Sequence, residues 1–191
     1  KLHNANFCRD RLCPMCSWRR SYKIFAQVSK IMNYIQDSFC FLFVTLTVPN
    51  CSGSDLSKTV DKLNFSFYRK FVRYKRIKNI NCGFFKALEI TRNSKTGTYH
   101  PHLHVVFAVP LRYFKENKYY IQRDEWLALW QKATKDPTIT QVDVRRASQK
   151  VTSDGQKAVK ALSSVVAEIA KYTVKSKDYI IKDNPVLTDE I

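Results

Sequence analysis

Three of the four histidines fall within five residues, in the run Tyr99-His100-Pro101-His102-Leu103-His104. Residues two apart on a strand share a face, so His102 and His104 project side by side while Leu103 turns to the opposite layer. Neutral imidazoles about 6–7 Å apart along a strand can both reach one divalent cation. His100 lies across Pro101 and is expected just outside the strand. A hard cation also wants oxygen. Glu89, in the otherwise apolar run Ala87-Leu88-Glu89-Ile90, is the candidate third ligand, because a carboxylate in a buried strand is costly unless paired or ligated. The alternative for Glu89 is a salt bridge to Lys86 or Arg92.

A second cluster, His3-x4-Cys8-x4-Cys13-Pro14-Met15-Cys16, offers soft ligands at zinc spacing. Cys8, Cys13 and Cys16 are the core of this candidate site. His3 is the expected fourth ligand, with Cys40 or Cys51 as substitutes, and three unligated thiols as the alternative. A closed zinc site would staple the N-terminal segment and hold Arg9, Arg11, Arg19 and Arg20 for DNA phosphates.

The third group lies on the last expected helix, Gln156 to about Lys175. Val159, Leu162, Val166, Ile169 and Thr173 make its apolar stripe, while Glu168, Tyr172 and Lys175 fall within about 60° of one another on a different arc. Tyr172 is therefore not placed as an ordinary core tyrosine, although that spacing also suits plain surface decoration. A phenol, with a pKa of about 10, is a weak nucleophile at neutral pH. Beside a divalent cation and a lysine it becomes competent to attack a phosphodiester. The chemistry is then strand cleavage by transesterification, in which the tyrosine keeps the 5′-phosphate and releases a 3′-OH.

The elements that must position these groups can be read from periodicity. Ser17 to about Gln36 has a helical apolar stripe; Cys40 to Val48 reads as a buried strand closed by Pro49. Ser54 or Asp55 is the expected cap of a long helix whose seam runs Leu56, Val60, Leu63, Phe67, Phe71, Tyr74. Gly83–Thr91 and His102–Val109 read as strands joined by a hairpin at Arg92–Tyr99; Arg123–Thr134 is a helix and Ile139–Arg145 a half-exposed strand. Neighbouring strands joined by a hairpin, with helices between the rest, give an α+β fold built on an antiparallel sheet. The expected division is a zinc-binding segment at 1–20, a catalytic domain at 21–182 and a tail at 183–191.

The chain has 191 residues and 33 Lys and Arg against 16 Asp and Glu, a formal charge of +17. Such an excess points to a polyanion, with nucleic acid ahead of an acidic membrane surface. At 45% apolar residues the chain supports a real core. It has no apolar run long enough to span a bilayer. Cysteines gathered in one cluster and otherwise scattered among apolar neighbours suit a reducing cytoplasm. The first residue is Lys1, which reads as a piece of a longer chain.

Four blocks together resemble the plasmid rolling-circle replication initiators of the HUH endonuclease superfamily: Cys8–Cys16 with Trp18-Arg19-Arg20, Phe43-Val44-Thr45-Leu46-Thr47, His100-Pro101-His102-Leu103-His104, and Glu168-Ile169-Ala170-Lys171-Tyr172. The histidines precede the tyrosine, as in replication initiators rather than conjugative relaxases. The resemblance implies a sheet of about five strands, with the two histidines on a central strand and the tyrosine helix across the same face. It implies Mg²⁺ or Mn²⁺ at His102 and His104 with Glu89 as third ligand, and Tyr172 as nicking nucleophile. Glu168 would activate the water that ends a replication round, and Lys175 would position the phosphate or the phenol. The implied partner is single-stranded or hairpin origin DNA in a prokaryotic cytoplasm. No Walker A motif is present, so a host helicase is expected to unwind the duplex. An HUH relaxase or transposase, or a non-enzymatic zinc-containing DNA-binding module, are the competing readings.

Overall fold

The run Phe39–Thr47 is aromatic and β-branched, types that fit a pleated surface buried on both sides, and it forms strand β1. Strands β2 (Gly83–Arg92) and β3 (Tyr99–Pro110) make the hairpin, and β4 (Val142–Arg146) follows later in the chain. All pair antiparallel in the order β2-β3-β1-β4. The computed structural model describes residues 6–10 and 13–147. His3, Arg11, the expected helix with Glu168, Tyr172 and Lys175, and the tail at 183–191 lie outside the described residues. The sheet has four strands among the described residues, matching the four strand patterns in the sequence; the figure of about five came from the resemblance.

Parity divides the sheet into two faces. Leu42, Val44, Leu46, Leu103, Val105 and Phe107 point to one face and build the main core with Phe67, Phe71, Trp126 and Trp130. Phe41, Phe43, Ala87, Val106 and Ala108 point to the other. Helix α1 (Pro14–Ile35) covers that second face through Val28 and Met32. Pro14 at the first turn, where no helical hydrogen bond is lost, marks its start, three residues before the expected one. The helix runs unbroken across residues 20 and 21.

Helix α2 (Gly53–Phe65) is capped by Ser52, not by Ser54 or Asp55. Ser52 Oγ accepts from the Asp55 amide at 3.2 Å and donates to Asp55 Oδ2 at 2.8 Å, so the cap and the first-turn carboxylate are tied side chain to side chain. The long helix expected through Tyr74 is interrupted. A π turn (Ser66–Lys70), a 3₁₀ turn (Phe71–Arg73) and an extended Tyr74 (ψ 133°) precede a short helix α3 (Lys75–Lys78). The cause lies in the seam itself: Leu63, Phe67 and Phe71 are four apart, and a regular helix would drift about 40° at each step. The wider turn, in which Phe71 N–H reaches the Ser66 carbonyl, keeps Phe67 and Phe71 both fully buried.

Helix α4 (Arg123–Thr134) buries Trp126 and Trp130 one turn apart, and Trp130 Nε1 donates to the Thr47 carbonyl at 2.7 Å. The helix closes on Lys135 in the left-handed region (φ 56°). The expected strand from Ile139 begins only at Val142, because the Ile139 carbonyl is taken by the Gln131 side chain at 2.7 Å. Arg76 ties α3 to α4: its guanidinium donates to Glu125 and to the carbonyls of Lys118 and Tyr120.

Candidate metal centre and nucleic-acid interface

The hairpin register sets Glu89 directly opposite His102, and Ala87 and Thr45 opposite His104. On an antiparallel pair, facing residues lie about 4.5–5.5 Å apart at Cβ and diagonal ones within reach of long side chains. Glu89 therefore meets both imidazoles from one position. Its Oε2 lies 2.6 Å from His102 Nε2 and 2.8 Å from His104 Nε2. Glu89 and His104 are 5% and 6% exposed, so the cluster is withdrawn from bulk water. The salt bridge from Glu89 to Lys86 is ruled out by parity. Lys86 points to the opposite face, where its ammonium donates to Asn64 Oδ1.

Both rings are oriented from behind. His102 Nδ1 donates to the His100 carbonyl at 3.2 Å, which turns Nε2 toward Glu89. His104 Nδ1 lies 3.2 Å from Thr45 Oγ1, and its ring packs on Phe43 with centroids 5.5 Å apart. A carboxylate oxygen between two imidazole nitrogens whose other nitrogens are engaged is the donor set of a site with two histidine ligands and one carboxylate. The three ligand atoms lie within 4.8 Å of one another, which fits one divalent ion. His100 stands inside β3 rather than beyond its end. Its ring meets that of His102 at 5.4 Å, its Nε2 has no hydrogen-bond partner, and burial, then the neighbouring His102, push its pKa below the ordinary imidazole value.

The cysteine cluster also converges. Cys8, Cys13 and Cys16 present their sulfurs within 4.8 Å of one another, with Cys8 and Cys16 Sγ 3.5 Å apart. Sulfurs sharing a tetrahedral zinc at Zn–S of about 2.3 Å lie about 3.8 Å apart, so the arrangement fits. Cys40 and Cys51 do not join the cluster. Arg9 adopts φ 65°, a left-handed conformation that turns its amide onto Cys16 Sγ at 3.2 Å. The Cys13 thiol is held below its ordinary pKa, first by the backbone N–H of Cys16 and then by the Cys8 side chain. The Cys8 thiol is shifted the other way: the Asp10 backbone lowers it, but the side chains of Cys13 and Cys16 outweigh that and raise it. Of the expected phosphate-contacting arginines, Arg9 and Arg19 are exposed and Arg20 is partly buried. Arg19 lies over the Phe7 ring at 4.2 Å. Trp18 and Tyr22, also exposed, stack on each other on the same helix.

A family described as "Replication protein" matches residues 1–190. The chain belongs to that replication-protein family. "Protein rep" of a Bacillus species is 40% identical over all of this chain and 64% of its own length. "Protein rep" of Staphylococcus aureus is 39% identical over 98% of this chain and 77% of its own. "Protein rep" of Streptococcus pneumoniae serotype 2 is 36% identical over 99% of this chain and 58% of its own. The chain thus spans less than two thirds of two of these three curated relatives. No solved structure matches it. The family is the one expected from the four sequence blocks. Among the described residues no helix is long and apolar enough to cross a membrane.

One positioning residue escaped the sequence reading. Thr45 fixes His104, and its signal was available: in Phe41-Leu42-Phe43-Val44-Thr45-Leu46-Thr47 the only polar residues share the parity that faces the histidines.

Proposed function

We propose that this chain is the nicking domain of a plasmid rolling-circle replication initiator, a sequence-specific single-stranded DNA endonuclease and strand transferase. The observation that carries the reading is the carboxylate oxygen of Glu89 set between the Nε2 atoms of His102 and His104 on the sheet of a replication-family protein. Mg²⁺ or Mn²⁺ held there would act as a Lewis acid on the scissile phosphate.

Tyr172 is the nucleophile. Its phenol loses its proton as the oxygen bonds to phosphorus, the P–O3′ bond breaks, and the departing oxygen takes up one proton in exchange to leave a 3′-OH that primes synthesis. The Lys175 ammonium offsets phosphate charge, and Glu168 takes a proton from the water that later hydrolyses the 5′-phosphotyrosine link. Cys8, Cys13 and Cys16, with His3 as the expected fourth ligand, would hold a zinc ion that fastens the segment carrying Arg9, Arg11, Arg19 and Arg20, the residues for DNA phosphates. A host helicase opens the duplex.

The test is incubation with single-stranded origin DNA and Mn²⁺, followed by a search for a denaturation-resistant protein–DNA adduct. Wild type forms it and Tyr172→Phe does not; Glu168→Ala nicks but releases the adduct slowly. Normal nicking by Tyr172→Phe together with a dead Tyr179→Phe would reassign the nucleophile, and no adduct from any variant would leave only a basic DNA-binding module.

A further inference from the structure

The region between Asp61 and Glu89 contains no acidic residue, yet it carries Lys62, Arg69, Lys70, Arg73, Lys75 and Lys78 among its basic residues. It also carries aromatic side chains that the core does not absorb. Phe67 and Phe71 are fully buried, whereas their neighbours Phe65, Tyr68 and Phe84 are 55%, 47% and 37% exposed. Two of these rings, Tyr68 and Phe84, are packed together. Phe84 meets the buried Phe67 edge-on at 5.1 Å and Tyr68 at 6.1 Å, and Tyr68 meets Phe67 at 5.3 Å. These two exposed rings are thus braced from beneath by the core. Tyr68 faces outward from the π turn at Ser66–Lys70 while Phe67 and Phe71 are buried.

Cations sit at the same rings. Lys86 Nζ lies 4.8 Å from the centre of Tyr68, and Lys70 Nζ lies 5.5 Å from that of Phe65. Rigid, half-exposed aromatic faces interleaved with lysines, and no carboxylate nearby in sequence, form the surface that binds unpaired nucleotides: every base has a π-face to stack, and every linkage has a phosphate to neutralise. A duplex, whose bases are already stacked, cannot use such rings. A protein partner would have to cover this much positive charge with acid.

We propose that Tyr68 and Phe84 form a stacking platform for single-stranded DNA, with Lys70 and Lys86 neutralising its backbone. The platform is separate from the metal centre and is joined to it by β2, an edge strand among the described residues. Phe84 and Lys86 stand on one face of β2 and Glu89 on the other, five residues and about 17 Å further along. Unwound DNA passing over the β2 edge would be held on one side of the sheet while its cleavage site lies on the other. The inference rests on the replication reading only for the identity of the polymer.

The test is equilibrium binding of a fluorescein-labelled oligothymidylate of about 12 nucleotides, followed by anisotropy in EDTA at several salt concentrations. This probe reads neither nicking nor origin recognition, so a failure here leaves the Tyr172 chemistry untouched, and loss of the Tyr172 adduct leaves this binding untouched. Tyr68→Leu and Phe84→Leu, which keep apolar bulk, are expected to weaken binding about 5- to 10-fold each without changing the salt slope. Tyr68→Phe retains wild-type affinity. Lys70→Gln lowers the salt slope by about 0.7, the signature of one lost phosphate contact on a single strand. Leucine variants that bind within about twofold of wild type would overturn the platform. So would unchanged affinity accompanied by a shift in sedimentation, which would assign the surface to protein–protein contact instead.

Discussion

Replacing Thr45 with valine keeps the shape of a β-branched side chain and removes one oxygen, the atom 3.2 Å from His104 Nδ1. Because His104 is buried, the lost hydrogen bond is not restored by bulk water, and the metal-free protein is expected to lose about 1–3 kcal/mol. For a chain of this size that is a Tm lower by about 2–4 °C for each kcal/mol. The effect on ion binding is separate from the loss of stability and of similar size. Loss of the group that orients a ligating imidazole costs about 10–100-fold in metal affinity, or about 1.4–2.7 kcal/mol. Calorimetric titration with Mn²⁺, run beside thermal denaturation in EDTA, separates the two effects. Thr45→Ser keeps the acceptor and is expected to recover most of the affinity. If Thr45→Val binds Mn²⁺ as tightly as wild type while remaining folded, His104 does not use Nε2 toward an ion and the assignment of two imidazoles and a carboxylate to one cation fails.

Other expectations follow from separate parts of the molecule. Cys16→Ser is expected to lower bound zinc from about one ion per chain to a small fraction, measured by colorimetric release, and to reduce helical ellipticity as the start of α1 loosens. Lys135 occupies a left-handed helix cap with a side chain that prefers otherwise, so Lys135→Gly is expected to stabilise the protein by about 1 kcal/mol in urea denaturation. Asp136 is held below its ordinary carboxyl pKa by the Thr138 hydroxyl, which donates to its Oδ1 at 2.6 Å. A carboxylate with a depressed folded pKa stabilises above its unfolded value and loses that contribution as pH falls through the folded one. Thr138→Val is therefore expected to lower Tm near neutral pH and to have progressively less effect on acidification below the usual carboxylate range. An undiminished difference under acid would exclude this origin.

Much of the site was legible because strand parity is strict. With alternating faces, His102 and His104 had to share one side, and the hairpin had to bring β2 alongside. What parity could not supply was register. Parity already separates Glu89 from Lys86; only the observed pairing puts Glu89 opposite His102, within reach of both imidazoles. His100 was misjudged because Pro101 was read as a strand boundary, whereas β3 accommodates it and extends back to Tyr99. The π turn was invisible for a different reason. The apolar seam continues through it, and backbone geometry changes so that the seam need not. The cap at Ser52 was displaced because Gly53 belongs to the helix itself. The pairing of Thr45 with His104 needed knowledge of which strand lies beside β3, which spacing within one strand does not carry.

Strand β2 presents Glu89 to the ion-binding side and, through Phe84, Lys86 and Leu88, an unrelated chemistry to the reverse side. A single inserted or deleted residue within it would exchange the two sets at once, burying the carboxylate among oils and offering a leucine to the cation. An added residue is expected to be tolerated instead in the turn around Asn93–Thr98, where it leaves the alternation on either arm intact. The same strand that makes the site economical makes it intolerant of frame slippage.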